Sequence, residues 1–585
     1  MFLTTEYFKK EKSQIIANSV FSAKIHPMEP ILRKGIQDAL QTLGLPLVSF
    51  VIEHPKDLSH GDWASNVALV VSKQLGRSPS EVAQDIAQIL RQAQDEFQIS
   101  EIQIAGPGFI NFTLSREVFV QDLALSEVEG WGKTHLYEGQ KILVEHSSPN
   151  LFKPFHIGHL MNNTIGEAIT RLAKHSGAEV TTMSFPSDIS LGVAKAIFVL
   201  LEKYGEDFEP TDVSVLGDAY VEGTKRYEED EATHVRIKEI ADNLYEKKES
   251  PEWKVFQKCK SFNIAYFENI VARLGSHFDG YVYESEAGDE GKKIILENTP
   301  EVFTESEGAL VYIPTEERKD INTAVFINSQ GNPTYEAKDV GLLALKFEKY
   351  NPDQSIFITD GQQVSHFQVV LDAVKKIQPQ WAEKSLHRYH GRMTFKGQKM
   401  SSRLGGVPLV EDVLSTVIDE VKEKNPDVSE KSAEQIALGA LKYAILKSKV
   451  GMNIDFDPEA SLSFEGSSGP YLQYTAVRAG SLLQKGAEQG ITTSLDTPQL
   501  GTEILERVLV RFPEVVARAQ IEWSPHYLVM YLTELAQYFN SWYGGVKIID
   551  EDRSASAYRL TIVSSVRNTL VRGLHMLGIE VPERM

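Results

Sequence analysis

Two histidines, a glycine and a lysine-serine loop carry the strongest chemical signal in this chain. The first group lies in KILVEHSSPNLFKPFHIGHL, residues 141–160, and the second in FKGQKMSSRLGG, residues 395–406. Lys141 to Glu145 is a short apolar run that suits a buried parallel strand. Ser147, Ser148, Pro149 and Asn150 break it. Beyond His159, Leu160, Ile165, Ile169 and Leu172 recur at the spacing of an amphipathic helix. His156, Gly158 and His159 are therefore predicted where a loop enters a helix N-terminus. Free N–H groups and the positive end of the helix dipole favour a polyphosphate there. Gly158 has no Cβ, so a flat ring can approach the backbone, and two imidazoles can donate hydrogen bonds to phosphate oxygens. The second group is a cationic Gly/Ser loop. Lys399, Met400, Ser401, Ser402 and Arg403 stand among Gly397, Gly405 and Gly406, a composition able to close over phosphates.

These residues need a scaffold, and the pattern around them supplies one. Strand, helix and then VTTMSF as the next strand is βαβ punctuation, which implies a doubly wound parallel sheet. The sheet is expected to resume with TAVFIN, SIFITD and LHRYHG. Polar, acidic helices over about 202–308 read as an insertion with a solvated surface. The fold class is thus α/β and multidomain. Residues 1–27 read as an N-terminal extension before a start near Met28. Residues 28–138 read as a small α+β domain, 139–408 as a Rossmann-like catalytic domain, 409–460 as a helical connecting segment and 461–585 as an all-α helical bundle.

Composition excludes several classes. One cysteine, Cys259, rules out a disulfide framework. It also leaves His156 and His159 without partners for a zinc shell. No apolar run approaches the length of a membrane span, and the first residues lack a secretory h-region. A net charge of −21 argues against nucleic-acid binding by bulk electrostatics. The acid crowds into the middle of the chain, so a basic face elsewhere remains open.

The two motifs together resemble the paired nucleotide-binding motifs of class I aminoacyl-tRNA synthetases, and the residues around them resemble the arginyl-tRNA synthetase family. The resemblance covers nearly the whole chain beyond the first residues. It implies ATP-dependent activation of arginine and transfer to its tRNA, with His156, His159 and Lys399 catalytic. ATP would meet His156, Gly158, His159, Lys399, Met400, Ser401 and Ser402, and would arrive with Mg²⁺ held mainly by its phosphates, with no dedicated protein metal site. Arginine would meet Glu145 and Asn150 of VEHSSPN, Glu284 of YVYESE, Tyr335 and Asp339 of GNPTYEAKDVG, and Gln363 of TDGQQVSHF, in which His366 also matches. Tyr335 and Asp339, four apart on a helix, would share a face. Asp188 stands near an aspartate position of many relatives, but its neighbours differ.

The same resemblance places tRNA contacts at both ends. Phe109 and Asn111 of AGPGFINFTL match a D-loop-contacting domain. Tyr471, Gln473, Tyr474 and Arg478 of GPYLQYTAVR match the entry helix of an anticodon-binding domain, with Tyr543 and Met585 beside the anticodon. Rings stack on splayed bases, and arginine stacks or binds phosphate. It further implies a monomer in the cytoplasm, with no membrane partner, whose activation step waits for bound tRNA. Three rivals fit less well. A small-molecule nucleotidyltransferase would not need the tyrosine-bearing C-terminal helix. A non-catalytic RNA-binding relative would be expected to lose the histidines or Lys399. A synthetase for another amino acid would not carry Glu145, Tyr335 and Asp339 together.

Overall fold

The computed structural model describes residues 28–395, 408–496 and 502–585. The chain divides into two compact units. One joins the described residues up to Leu136 to those within Thr475–Ile521 and Tyr531–Arg572; the other holds Tyr137–Tyr474, Glu522–Met530 and Gly573–Met585.

The second unit is built on five parallel strands. They are β1 (Lys141–Glu145), β2 (Glu179–Ser184), β3 (Gly280–Tyr281), β4 (Gln354–Asp360) and β5 (Ser385–His390), in the spatial order β5-β4-β1-β2-β3. Ile142, Leu143 and Val144 of β1 are all buried, as are Ile356, Phe357 and Ile358 of β4, the apolar run expected of a strand covered on both faces. Strand order reverses between β1 and β4, which pair in register with Phe357 opposite Glu145. Such a switch point opens a crevice beyond the carboxyl ends of the strands, where ligands of doubly wound sheets bind.

Three helices frame that crevice: α1 (Ile157–His175), α2 (Glu284–Glu297) and α3 (Tyr335–Tyr350). Helices α2 and α3 meet backbone to backbone. A Cβ at Gly341 would collide with the Ala287 carbonyl, and one at Gly291 with the Ala337 carbonyl. The pair rests on the sheet through Ala287 and Leu342, which share a core with Leu143 of β1 and Met183 of β2.

Most of the sequence reading of this unit holds, with two corrections. Ala324–Ile327, within TAVFIN, is not part of the parallel sheet. It pairs antiparallel with Ala309–Tyr312 in a separate three-stranded sheet completed by Phe303–Ser306. A four-residue apolar run does not distinguish these two settings. The acidic stretch over 202–308 is also more than a solvated insertion. Helices Val213–Glu229, Glu231–Tyr245 and Pro251–Arg273 bury Leu216, Ile237, Ile240, Leu244, Val255 and Phe256 in one core with Leu191–Tyr204. The main sheet then resumes at β3, inside the stretch.

The first unit contains a four-stranded antiparallel sheet, ordered Ile52–Glu53, Trp63–Ser65, Phe109–Leu114, Ile99–Ala105. Helices Met28–Thr42 and Pro79–Gln92 cover it, with Ile36, Leu40, Val82 and Ile86 packed against Ile110 and Phe112. Its partnership with C-terminal helices is absent from the linear reading of separate domains. Arg507 donates to Asp62 at 2.6 Å, and Asp62 also accepts the Leu114 N–H at 2.8 Å. Ser126 and Thr134 bond Ser565 and Gln520, each at 2.6 Å.

The glycine contact of α2 with α3 gives a direct test. Alanine in a helix gains about 1 kcal/mol over glycine, whereas overpacking a tight contact costs about 1–3 kcal/mol. Gly341→Ala is expected to lower the urea midpoint of the catalytic unit. An unchanged or raised midpoint would mean that the helices are not in contact there.

Candidate active site

The helix entry is built as the sequence suggests. His156 is the N-cap of α1, with extended backbone, and His159 is its third residue. The His156 Nδ1 accepts the Gly158 N–H at 3.1 Å, and the His159 Nδ1 accepts the His156 N–H at 3.2 Å. This is a reciprocal capping box made of two imidazoles in place of a hydroxyl and a carboxylate. The rings stack at 3.8 Å, and His159 stacks on Phe155 at 4.7 Å. Burial holds both imidazoles below their ordinary pKa, with Lys153 and His390 adding to the effect. Neutral rings whose Nδ1 atoms accept carry their proton on Nε2, so each keeps one N–H to donate. Gly158 sits under the His156 ring: a Cβ there would lie 3.0 Å from Cε1.

One asparagine fixes this helix to the switch point. The Asn162 Oδ1 accepts the Ser147 N–H at 2.7 Å, and its Nδ2 donates to the Ile358 carbonyl at 2.8 Å. Ser147 has φ +56, the left-handed turn that takes the chain off β1. Lys399, Met400, Ser401 and Ser402 lie outside the described residues. The backbone just after them is against the histidines, since Ile157 N–H donates to Pro408 O and Val410 N–H to Phe155 O, each at 3.0 Å.

The residues expected to meet arginine fall around α3. Tyr335 opens the helix and is 70% exposed, while Asp339, one turn on, is buried. Asp339 binds His366 Nε2 at 2.5 Å, and Glu336 lies 3.4 Å from His366 Nδ1. Burial disfavours charge on His366, but the hydrogen bonds of Asp339 and Glu336 outweigh it and raise the pKa to about 9. Burial pushes the Asp339 carboxyl up, against the pull of His366. Glu145, at the carboxyl end of β1, is ion-paired with Lys346. Glu284, first residue of α2, is ion-paired with Lys338. Asn150 is exposed and bridges Ser187, and Gln363 is exposed at the end of the turn that follows β4.

Sequence reasoning missed the cations of this cluster and the part played by Asp188. Lys338, Lys346 and Asp339 share one helix, but the carboxylates that the two lysines pair with lie far away in sequence. Asp188 is buried and accepts the Ser285 N–H at 3.0 Å, the Ser285 hydroxyl at 2.9 Å and the Lys260 ammonium at 2.8 Å. It thereby caps the start of α2 beside Glu284, a positioning role. Among the described residues, no group of three His, Cys, Asp or Glu side chains could hold a metal ion.

The residues expected to meet tRNA divide between the units. In the first, Phe109 is half-buried, whereas Asn111 on the same strand is only 6% exposed. Arg478 donates to Asn540 at 2.8 Å and lies 5.0 Å over the Tyr543 ring, which is 40% exposed. In the second, Tyr471 is buried, Tyr474 is half-buried against Phe464 at 5.9 Å, and Met585 is half-buried. Gln473 corrects the expectation. It is fully buried, and its amide donates to the carbonyls of Gln435 at 3.0 Å and Glu580 at 2.6 Å. That side chain ties a helix to the C-terminal segment and is not available for a base.

A parallel sheet whose first strand leads into a histidine-capped helix at the switch point is the catalytic framework of class I aminoacyl-tRNA synthetases. The family model described as "tRNA synthetases class I (R), catalytic domain" matches residues 120–457. "Arginyl tRNA synthetase N terminal domain" matches 30–114, and "DALR anticodon binding domain" matches 472–585. The chain belongs to the arginyl-tRNA synthetase family. An arginine–tRNA ligase of Exiguobacterium sibiricum is 30% identical over 95% of this chain and 98% of its own length. One from Oenococcus oeni is 30% identical over 95% and 99%. The solved Thermus thermophilus arginyl-tRNA synthetase is similar with a TM-score of 0.77 and 27% identity, covering 95% of this chain and 99% of that one.

The Asp339–His366 pair carries a pH signature. The imidazole's folded pKa is raised above its ordinary 6.5 to about 9. Its contribution to stability is therefore complete below pH 6.5 and lost as pH rises through about 9. The difference in Tm between wild type and His366→Asn is expected to be larger at pH 6.5 than at pH 9. A difference independent of pH would show that His366 is not charged in the fold.

Proposed function

We propose that this chain is an arginine–tRNA ligase, activating arginine with ATP and passing it to the 3′ end of its tRNA. The observation that carries the reading is the acidic cluster around α3, in the same unit as the histidine-capped helix. A planar cation with five donors is selected by carboxylates and an aromatic wall, and Glu284, Asp339 and Tyr335 supply both. In the first step the arginine carboxylate attacks the α-phosphorus and pyrophosphate leaves. In the second, a terminal ribose hydroxyl attacks the adenylate's carbonyl and AMP leaves.

His156 and His159 act through positioning and charge stabilisation, not through a covalent intermediate. Their Nε2–H groups, fixed by the capping box, face no reorganisation when phosphate charge develops. Mg²⁺ would enter on the ATP phosphates. Lys399 would add a cation from the following loop, and Lys399→Ala is expected to slow single-turnover adenylate formation by about 2.7–4 kcal/mol with tRNA affinity nearly intact. An unchanged activation rate would remove Lys399 from the mechanism.

Arg478, Tyr474, Tyr543 and Met585 are the proposed anticodon contacts, and Phe109 the D-loop contact. No helix among the described residues is long and apolar enough to cross a membrane. The reading is of a monomeric cytoplasmic enzyme, and sedimentation of the purified chain checks the first point. The test of function is charging of a tRNA pool with each of the twenty amino acids, alongside ATP–pyrophosphate exchange with and without tRNA. Arginine alone is expected to be charged, with exchange negligible until its tRNA is added. Charging of another amino acid would overturn the reading, and robust exchange without tRNA would overturn only the coupling.

A further inference from the structure

The three carboxylates around α3 already have partners, and the partners differ in kind. Lys346 is 1% exposed, lies 5.0 Å from the Phe357 ring centre and is locked on Glu145 in the sheet's interior. His366 holds Asp339 from the first turn of the helix Val364–Ile377. Lys338 lies one residue before Asp339, at the end of the helix where Tyr335 is open to water, and its side chain is 12% exposed against 1% for Lys346. Its Nζ is ion-paired with Glu284 and lies 5.2 Å over the Tyr335 ring. It thus sits between the aromatic wall and the carboxylate that, on the functional reading above, belong to the substrate's guanidinium.

We propose that Lys338 is a built-in competitor for the substrate: its ammonium neutralises Glu284 before the substrate cation arrives, and a substrate side chain reaches Glu284 only by displacing it. The physical need for a stand-in is plain, because an ionised carboxylate buried without a partner is costly. The consequence is that every incoming side chain is compared with a resident ammonium. A guanidinium wins, since it offers a planar fork of donors that binds a carboxylate bidentately. Lysine or ornithine exchanges one ammonium for another and gains nothing at Glu284. A neutral isostere such as citrulline would leave Glu284 without a cation once Lys338 had moved. The competitor sets how strongly any side chain must bind to enter, while the preference among side chains rests on their own contacts with the site.

This inference rests on the arginine-ligase reading, and the test separates the two. Charging by wild type, Lys338→Met and Lys338→Arg is measured with arginine, and lysine and ornithine are measured as competing substrates. Lys338→Met removes the competitor, so the KM for arginine is expected to fall roughly tenfold with kcat little changed. The KM for ornithine is expected to fall by a similar factor, leaving the kcat/KM preference for arginine unchanged, because both substrates displace the same ammonium. Lys338→Arg installs a stronger competitor and is expected to raise the KM for arginine. If Lys338 merely props Glu284 in place, Lys338→Met raises that KM and Lys338→Arg leaves it near wild type, and either result overturns the proposal. Should Lys338→Met fail to fold, the Lys338→Arg constant decides alone. Wild type that does not charge arginine would instead remove the reading beneath it.

Discussion

Three carboxylates of the catalytic unit lie out of water, and none can stay ionised there without a cation brought to it. Removing one partner from a buried pair of this sort typically costs about 3–5 kcal/mol. That constraint makes α3 the organising element. Lys338, Asp339 and Lys346 all project from it, toward α2, toward the helix Val364–Ile377 and toward the end of β1. For the Lys338–Glu284 pair to close, α3 must lie hard against α2. The glycine contact of Gly341 and Gly291 permits that approach, and Asp188 holds the first turn of α2 where Glu284 begins it. Packing and electrostatics are therefore one requirement here.

The start of α1 follows a different rule. Its described donors are neutral. Two neutral imidazoles satisfy the orphan N–H groups at the start of α1 and leave their outer N–H groups for a ligand. A neutral donor fixed by backbone hydrogen bonds needs no reorientation as phosphate charge grows, which is the property that electrostatic preorganisation requires. Asn162 joins the two ends, because its amide spans the loop after β1 and the carbonyl of Ile358 on β4. The histidine-capped helix and the acidic cluster are thus registered to the same two strands at the switch point.

What the sequence revealed was local. The apolar run from Lys141 to Glu145 became β1, and the periodicity after His159 became α1, because both signals arise within one element. Ala324–Ile327 misled because a short apolar run has no partner written into it, and an antiparallel edge suits it as well as a parallel interior. The tyrosine-rich helix misled at Gln473, since an amide among tyrosines reads as a recognition group until burial shows it bonded to two carbonyls. Lys338, Lys346 and Asp188 were illegible for a further reason. Their partners Glu284, Glu145, Lys260 and Ser285 are far away in sequence, and no period connects them.

The central claim is that the cluster around α3 is the seat of the substrate's guanidinium. A crystal structure of the chain with arginine tests it most directly. The account predicts the guanidinium beside the Tyr335 ring, within about 3 Å of carboxylate oxygens of Glu284 or Asp339, with Lys338 displaced from Glu284. Arginine bound elsewhere, with the Lys338–Glu284 and Asp339–His366 pairs intact, would contradict it.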